Sequence, residues 1–115
     1  MQKETTYPER LLVENQGRLI GLLTNEILRV EASGEYSKLH TFTSKQYLSN
    51  SGISKLEQKL NPKMFIRIHR SEIINLAGIK EIQKDGNGGY NITLTNNDNV
   101  RVSRGYADVI KDMVF

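Results

Sequence analysis

Along most of this chain, apolar residues recur at alternate positions in short runs that end at Gly, Asn, Asp or Ser, the pattern of half-buried strands closed by turns. Residues 10–14 and 18–23 flank Asn15-Gln16-Gly17 and are predicted to pair as a hairpin. Residues 27–31 run into the turn Ser33-Gly34-Glu35, residues 36–42 continue extended, and Gln46-Tyr47-Leu48 adds another short run. The period then changes. Ile53, Leu56 and Leu60 recur at helical spacing, Ser54 and Glu57 have the spacing of a capping box, and Pro62 enforces a stop. Residues 65–68 are predicted extended again, whereas Ile73-Ile74-Asn75-Leu76 is apolar with no decisive period. Residues 79–83 and 90–94 flank Asp85-Gly86-Asn87-Gly88-Gly89, and Asn99-Val100-Arg101-Val102 alternates as a strand should. Tyr106, Val109, Ile110 and Met113 share one helical face, behind a Ser103 placed to cap a closing helix.

Strand, turn and strand therefore dominate, with two short helices. A parallel sheet needs a crossover helix for each strand pair, so the expected fold is mainly β and antiparallel. A chain of 115 residues holds one hydrophobic core. Residues 1–9 are polar, contain Pro8 and read as a tail or linker remnant, which leaves residues 10–115 as the domain. With 37% hydrophobic and 25% charged residues, the composition is that of a globular chain and not of a disordered one. The apolar stretch Leu19-Ile20-Gly21-Leu22-Leu23 is far shorter than the ~20 residues that cross a bilayer. There is no cysteine, which removes disulfides and thiolate metal sites, and no signal-peptide pattern at the start. A cytoplasmic protein with no membrane partner is expected.

Candidate chemistry narrows further. His40 and His69 are far apart and lack any H-x-x-x-H companion, no G-x-S-x-G elbow is present, and nothing orders a nucleophile beside a base. No enzyme activity, metal or cofactor is expected. The glycine-rich segment 85–89 leads into a strand and not into a helix N-terminus, so a hairpin turn is preferred over a phosphate loop. A net charge of +3 shifts the picture little by itself; the placement of charge matters more. Residues 65–71 hold Arg67, His69 and Arg70 with no acid, and Arg101 and Arg104 form a second basic pair. An arginine at a helix start opposes the helix dipole, at a cost of up to about 1 kcal/mol. A bound anion would relieve that conflict at Arg104, and pairing with Asp108 is the alternative.

Three motifs then fall in register. Glu31-Ala32-Ser33-Gly34-Glu35-Tyr36-Ser37-Lys38-Leu39, Phe65-Ile66-Arg67-Ile68-His69-Arg70-Ser71-Glu72-Ile73-Ile74-Asn75-Leu76 and Val102-Ser103-Arg104-Gly105-Tyr106 resemble, in order and spacing, the signature segments of the LytTR family of bacterial DNA-binding domains. The resemblance runs from about Leu22 to the C-terminus. Glu35 stands where the family usually has asparagine, and Glu72 where it often has an aromatic or aliphatic residue. The resemblance implies an elongated stack of small antiparallel sheets with short helices, and loops that enter successive major grooves of double-stranded DNA. It also implies repeated DNA sites, a homodimer on DNA, and a role as the output domain of a transcriptional response regulator, with a receiver domain as a possible companion in a longer protein. Carried over by position, the contacts would be Tyr36, Ser37 and Lys38, then His69 and Arg70, then Ser103 and Arg104. Arg70 and Arg104 can each make paired bonds to guanine. Lys38 and Arg67 suit phosphate, although Arg67 equally suits a structural place on the sheet. A β-rich protein–protein interaction module that recognises acidic peptides through the same basic strand end is the competing reading. RNA binding is disfavoured, because no RNP-like aromatic motif occurs.

Overall fold

In the computed structural model, which describes residues 6–115, the alternating runs become ten strands in three antiparallel sheets. β1 (Arg10–Asn15) and β2 (Arg18–Leu23) pair as the expected hairpin. β3 (Ile27–Ser33), β4 (Tyr36–Thr41), β5 (Gln46–Ser49), β6 (Phe65–His69) and β7 (Glu72–Asn75) build a central sheet in the order β5-β4-β3-β7-β6. β8 (Ile79–Lys84), β9 (Tyr90–Leu94) and β10 (Asn99–Val102) form the third, in the order β10-β9-β8. Of the expected tail, residues 1–5 lie outside the described residues. Residues 6–9 have no regular structure, and the carbonyl of Glu9 accepts the backbone N–H of Thr24 at 2.8 Å.

The central sheet is apolar on both faces, which makes the stack. One face joins Val13 and Leu22 of the hairpin with Ile27, Val30, Leu39, Phe65 and Ile73 and with the helix residues Ile53 and Leu56. The other joins Leu28, Ile66, Ile68 and Ile74 with Tyr90, Ile92, Leu94, Val100 and Val102 of the third sheet and Ile110 of the last helix. Ile73 and Ile74 therefore bury on opposite sides. A strand covered on both faces reads as a continuous apolar run, which is why residues 73–76 show no period. The strand ends at Asn75, whose side chain accepts the Ala77 N–H and donates to the Ile27 carbonyl, and a 3-10 turn over Leu76–Gly78 comes next. The extents of 45 × 40 × 24 Å describe a flattened stack.

Both helices depart from the sequence reading at their starts. α1 (Ile53–Glu57) begins one residue before Ser54, with Gly52 at the N-cap and no side-chain cap bond, so Ser54 and Glu57 form no capping box. Ile53, Leu56 and Leu60 are buried as expected. The closing segment opens with a 3-10 turn over Arg104–Tyr106 and only then becomes α2 (Ala107–Lys111). The Ser103 side chain caps neither. A 3-10 turn advances by 3.0 residues instead of 3.6, and this shifts the phase of the helical residues after it. Ala107 and Ile110 face the core, while Val109 and Met113 are exposed.

Candidate nucleic-acid interface

Two main-chain bonds make the three expected contact segments neighbours. The Ala32 N–H, next to the β3–β4 turn, donates to the Ser71 carbonyl at 2.9 Å, and the Ser103 N–H donates to the Ile68 carbonyl at 3.1 Å. The turn between β6 and β7 thus lies between the other two segments. Each side chain then takes a distinct place.

Arg70 is exposed at the tip of that turn. His69, at the end of β6, accepts the Ser71 N–H on Nδ1 at 3.2 Å, with the Ser71 hydroxyl 2.9 Å from the same nitrogen. An Nδ1 that accepts leaves the proton of the neutral ring on Nε2, free to donate. Arg67 folds back on the turn itself. Its Nε donates to the His69 carbonyl at 2.8 Å, one Nη to the Arg70 carbonyl and the other to Glu57 of α1 at 2.7 Å. The guanidinium of Arg67 is thus engaged by the turn's own backbone and by an acid, so of its two roles left open by sequence the geometry favours the structural one. A bulge between Arg67 and His69 accompanies this arrangement.

In the first segment, Tyr36 is about half exposed at 48%. Lys38 is half-buried opposite Glu31 across the β3–β4 pair. Ser37 differs from expectation. It is fully buried, and its hydroxyl donates to the Ser51 carbonyl at 2.8 Å, because the alternation that exposes Tyr36 turns its neighbour inward. In the third segment Ser103 is half-buried and Arg104 and Gly105 are exposed. With α2 only five residues long, the helix-dipole argument for an anion at Arg104 carries little weight. Among the described residues, neither Arg70 nor Arg104 has a carboxylate within ion-pair distance; Asp108 is not a partner of Arg104.

Sequence inspection missed the groups behind this surface. Glu72 comes directly after the turn between β6 and β7, and both its carboxylate oxygens accept from the one Arg29 Nη1, at 3.0 and 3.1 Å. Arg29 also reaches Asp98, at the β9–β10 turn, at 3.2 Å. Burial, together with the charges of Glu31 and Asp98, pushes the Glu72 carboxyl up to about 7 against the pull of Arg29. His40 Nε2 lies 3.0 Å from Glu31; burial lowers the His40 pKa, and the bond from His40 lowers that of Glu31. The replacement of an apolar residue by Glu72 was visible in the sequence as a departure from the family pattern, but its partner was not. Beside the third segment, Asp85 closes the glycine-rich loop by accepting the N–H groups of Asn87 and Gly89 on Oδ1 at 2.8 and 3.1 Å. Those bonds, with Arg101 and Arg104 nearby, hold the Asp85 carboxyl below the usual range.

Among the described residues no group of His, Cys, Asp and Glu could hold a metal ion, and no helix is long and apolar enough to cross a membrane.

The chain is similar to several known proteins. It is 34% identical over 100 residues to the transcriptional regulatory protein LytR of Staphylococcus aureus, covering 87% of this chain and 40% of that protein. It is 33% identical over 105 residues to the sensory transduction protein LytT of Enterococcus faecalis, covering 90% of this chain and 43% of that one. The chain thus spans less than half the length of these relatives. A solved LytTr DNA-binding domain from Bacillus cereus has the same fold, with a TM-score of 0.81 at 22% identity over 92% of this chain and 96% of the other. Residues 17–114 match the LytTr DNA-binding domain family, and the chain belongs to that family of DNA-binding domains.

Proposed function

We propose that the chain binds double-stranded DNA sequence-specifically, as the output domain of a transcriptional regulator. Arg70 and Arg104 read guanine edges in successive major grooves, and His69 Nε2, Tyr36, Lys38 and Ser103 contact the duplex around them. Ser37 and Arg67 hold the contact segments in shape from within. The observation that supports this most directly is the adjacency of the three segments, with both exposed arginines free of carboxylate partners among the described residues. A guanidinium already held by an acid would have to be released before it could bind a base. The lengths of the relatives leave room for a receiver domain in a longer protein, and their names describe regulatory and sensory-transduction proteins. Binding as a homodimer to repeated sites is part of the same proposal.

The test is binding to duplex taken from upstream of the protein's own coding sequence, compared with scrambled duplex of the same length, across a salt series. Arg70→Ala and Arg104→Ala should each lower specific affinity by about 1–3 kcal/mol, because one paired base contact is lost, and should leave thermal unfolding unchanged. Affinity should fall log-linearly with salt as phosphate contacts release counterions. Parent-like binding by both variants would refute this contact surface. Equal affinity for native and scrambled duplex would refute sequence-specific regulation, and no binding to either would favour the acidic-peptide reading.

A further inference from the structure

The glycine-rich loop between β8 and β9 lies against the third contact segment at two successive points. A Cβ on Gly89 would stand 2.9 Å from the Val102 carbonyl oxygen and 2.8 Å from Asp85 Oδ2, so only glycine lets this loop approach the end of β10. A Cβ on Gly88 would stand 3.2 Å from Cδ and 3.7 Å from Cγ of Arg104, so the aliphatic stem of Arg104 rests on the bare backbone of Gly88. The loop that offers this surface is itself fastened. Asp85 receives two of its N–H groups, the Asp85 N–H donates to the Gly89 carbonyl at 3.2 Å, and Arg101 Nη2 holds Asp85 Oδ2 at 3.2 Å.

We propose that Gly88, held in this fastened loop, is a seat that aims Arg104, and so acts as a positioning residue for base discrimination through Arg104. This rests on the reading of Arg104 as a base contact. An arginine stem has several rotatable bonds, and a phosphate, with its tetrahedral oxygens exposed along the backbone, can be met from many of their settings without any effect on sequence preference. Two parallel bonds to one guanine edge need the guanidinium plane in one orientation. A stem laid on a fixed loop reaches the DNA with that orientation already restricted. Crowding the seat should therefore lower discrimination between sequences more than it lowers affinity for duplex in general.

Gly86 supplies a matched control. Gly86 and Gly88 have nearly equal positive φ, +84° and +87°, but a Cβ on Gly86 would meet nothing within 4 Å. Asparagine tolerates a positive φ better than most residues. Gly86→Asn and Gly88→Asn thus each place a side chain at a positive φ, and only the second crowds Arg104. In the full chain, Gly88→Asn should lower the ratio of specific to scrambled affinity about tenfold, as expected for one misaligned paired contact, while Gly86→Asn stays within about twofold of the parent. Made on top of Arg104→Ala, Gly88→Asn should change the ratio no further. Thermal unfolding of each variant separates loss of fold from loss of aim. Equal effects of the two asparagine variants, or an undiminished effect of Gly88→Asn in the Arg104→Ala background, would overturn the seat. Parent-like discrimination by Arg104→Ala itself would overturn the underlying reading, and the seat with it.

Discussion

Arg67 directs its donor groups into the protein, and its position explains why type and spacing alone could not assign its role. A basic residue on a strand that ends in two more, His69 and Arg70, looks like a phosphate contact until the β6 bulge is seen to fold the turn's own carbonyls back over it. Arg67→Ala should cost about 1.5–3 kcal/mol of stability, the range for hydrogen bonds to a charged group, because the His69 and Arg70 carbonyls and Glu57 lose their donor together. Chemical unfolding measures this, and a variant as stable as the parent but weak on DNA would return Arg67 to the phosphate. Arg70 and Arg104 are the reverse case. In sequence each is a basic residue with no acid beside it in its motif, and in the fold each is exposed and unpaired among the described residues. Ser37 defeats the sequence because a loop motif does not state its phase; one residue of alternation separates exposed Tyr36 from buried Ser37.

The elements were legible where one face is wet. β10 and the apolar positions of α1 emerge from alternation or helical spacing, because water on the other face keeps polar residues at regular intervals, and the hairpin emerges from the turn Asn15-Gln16-Gly17 between its two runs. Legibility failed where an element is covered on both sides, as at β7, and where a tighter helical turn changes the phase, as before α2. It also failed where two elements approach through a residue with no side chain. Gly78 ends the 3-10 turn between β7 and β8, and a Cβ there would lie 2.3 Å from Leu28 Cδ1, in the core. Leu28 is fully buried and cannot swing away, so Gly78→Ala should overpack the junction and cost about 1–3 kcal/mol. The midpoint of urea unfolding reports it. An unchanged midpoint would mean that Leu28 finds another rotamer without loss.

Across the whole molecule, Arg29 joins strands that no single element spans. It ties β3 to Glu72 at the start of β7 and to Asp98 at the far turn of the third sheet. The Glu72 carboxyl titrates near 7 in the native protein and at an ordinary 4.5 when unfolded. Between those values the native state keeps a proton that the unfolded state has released, so this group's contribution to stability is full below about 4.5 and is lost as pH rises through about 7. Glu72→Gln removes that dependence. Its stability relative to the parent should therefore rise as pH is raised through this window, in unfolding curves recorded at successive pH values. A constant difference would show that Arg29 keeps Glu72 ionised throughout. The bonds Ala32 N–H to Ser71 and Ser103 N–H to Ile68 have a further consequence. They run between main-chain groups, which every residue other than proline possesses whatever its side chain. The distance between the loops is thus indifferent to which residues stand at positions 70 and 104. On the proposed reading of Arg70 and Arg104, such a scaffold can exchange its vocabulary of bases while the length of its footprint stays fixed.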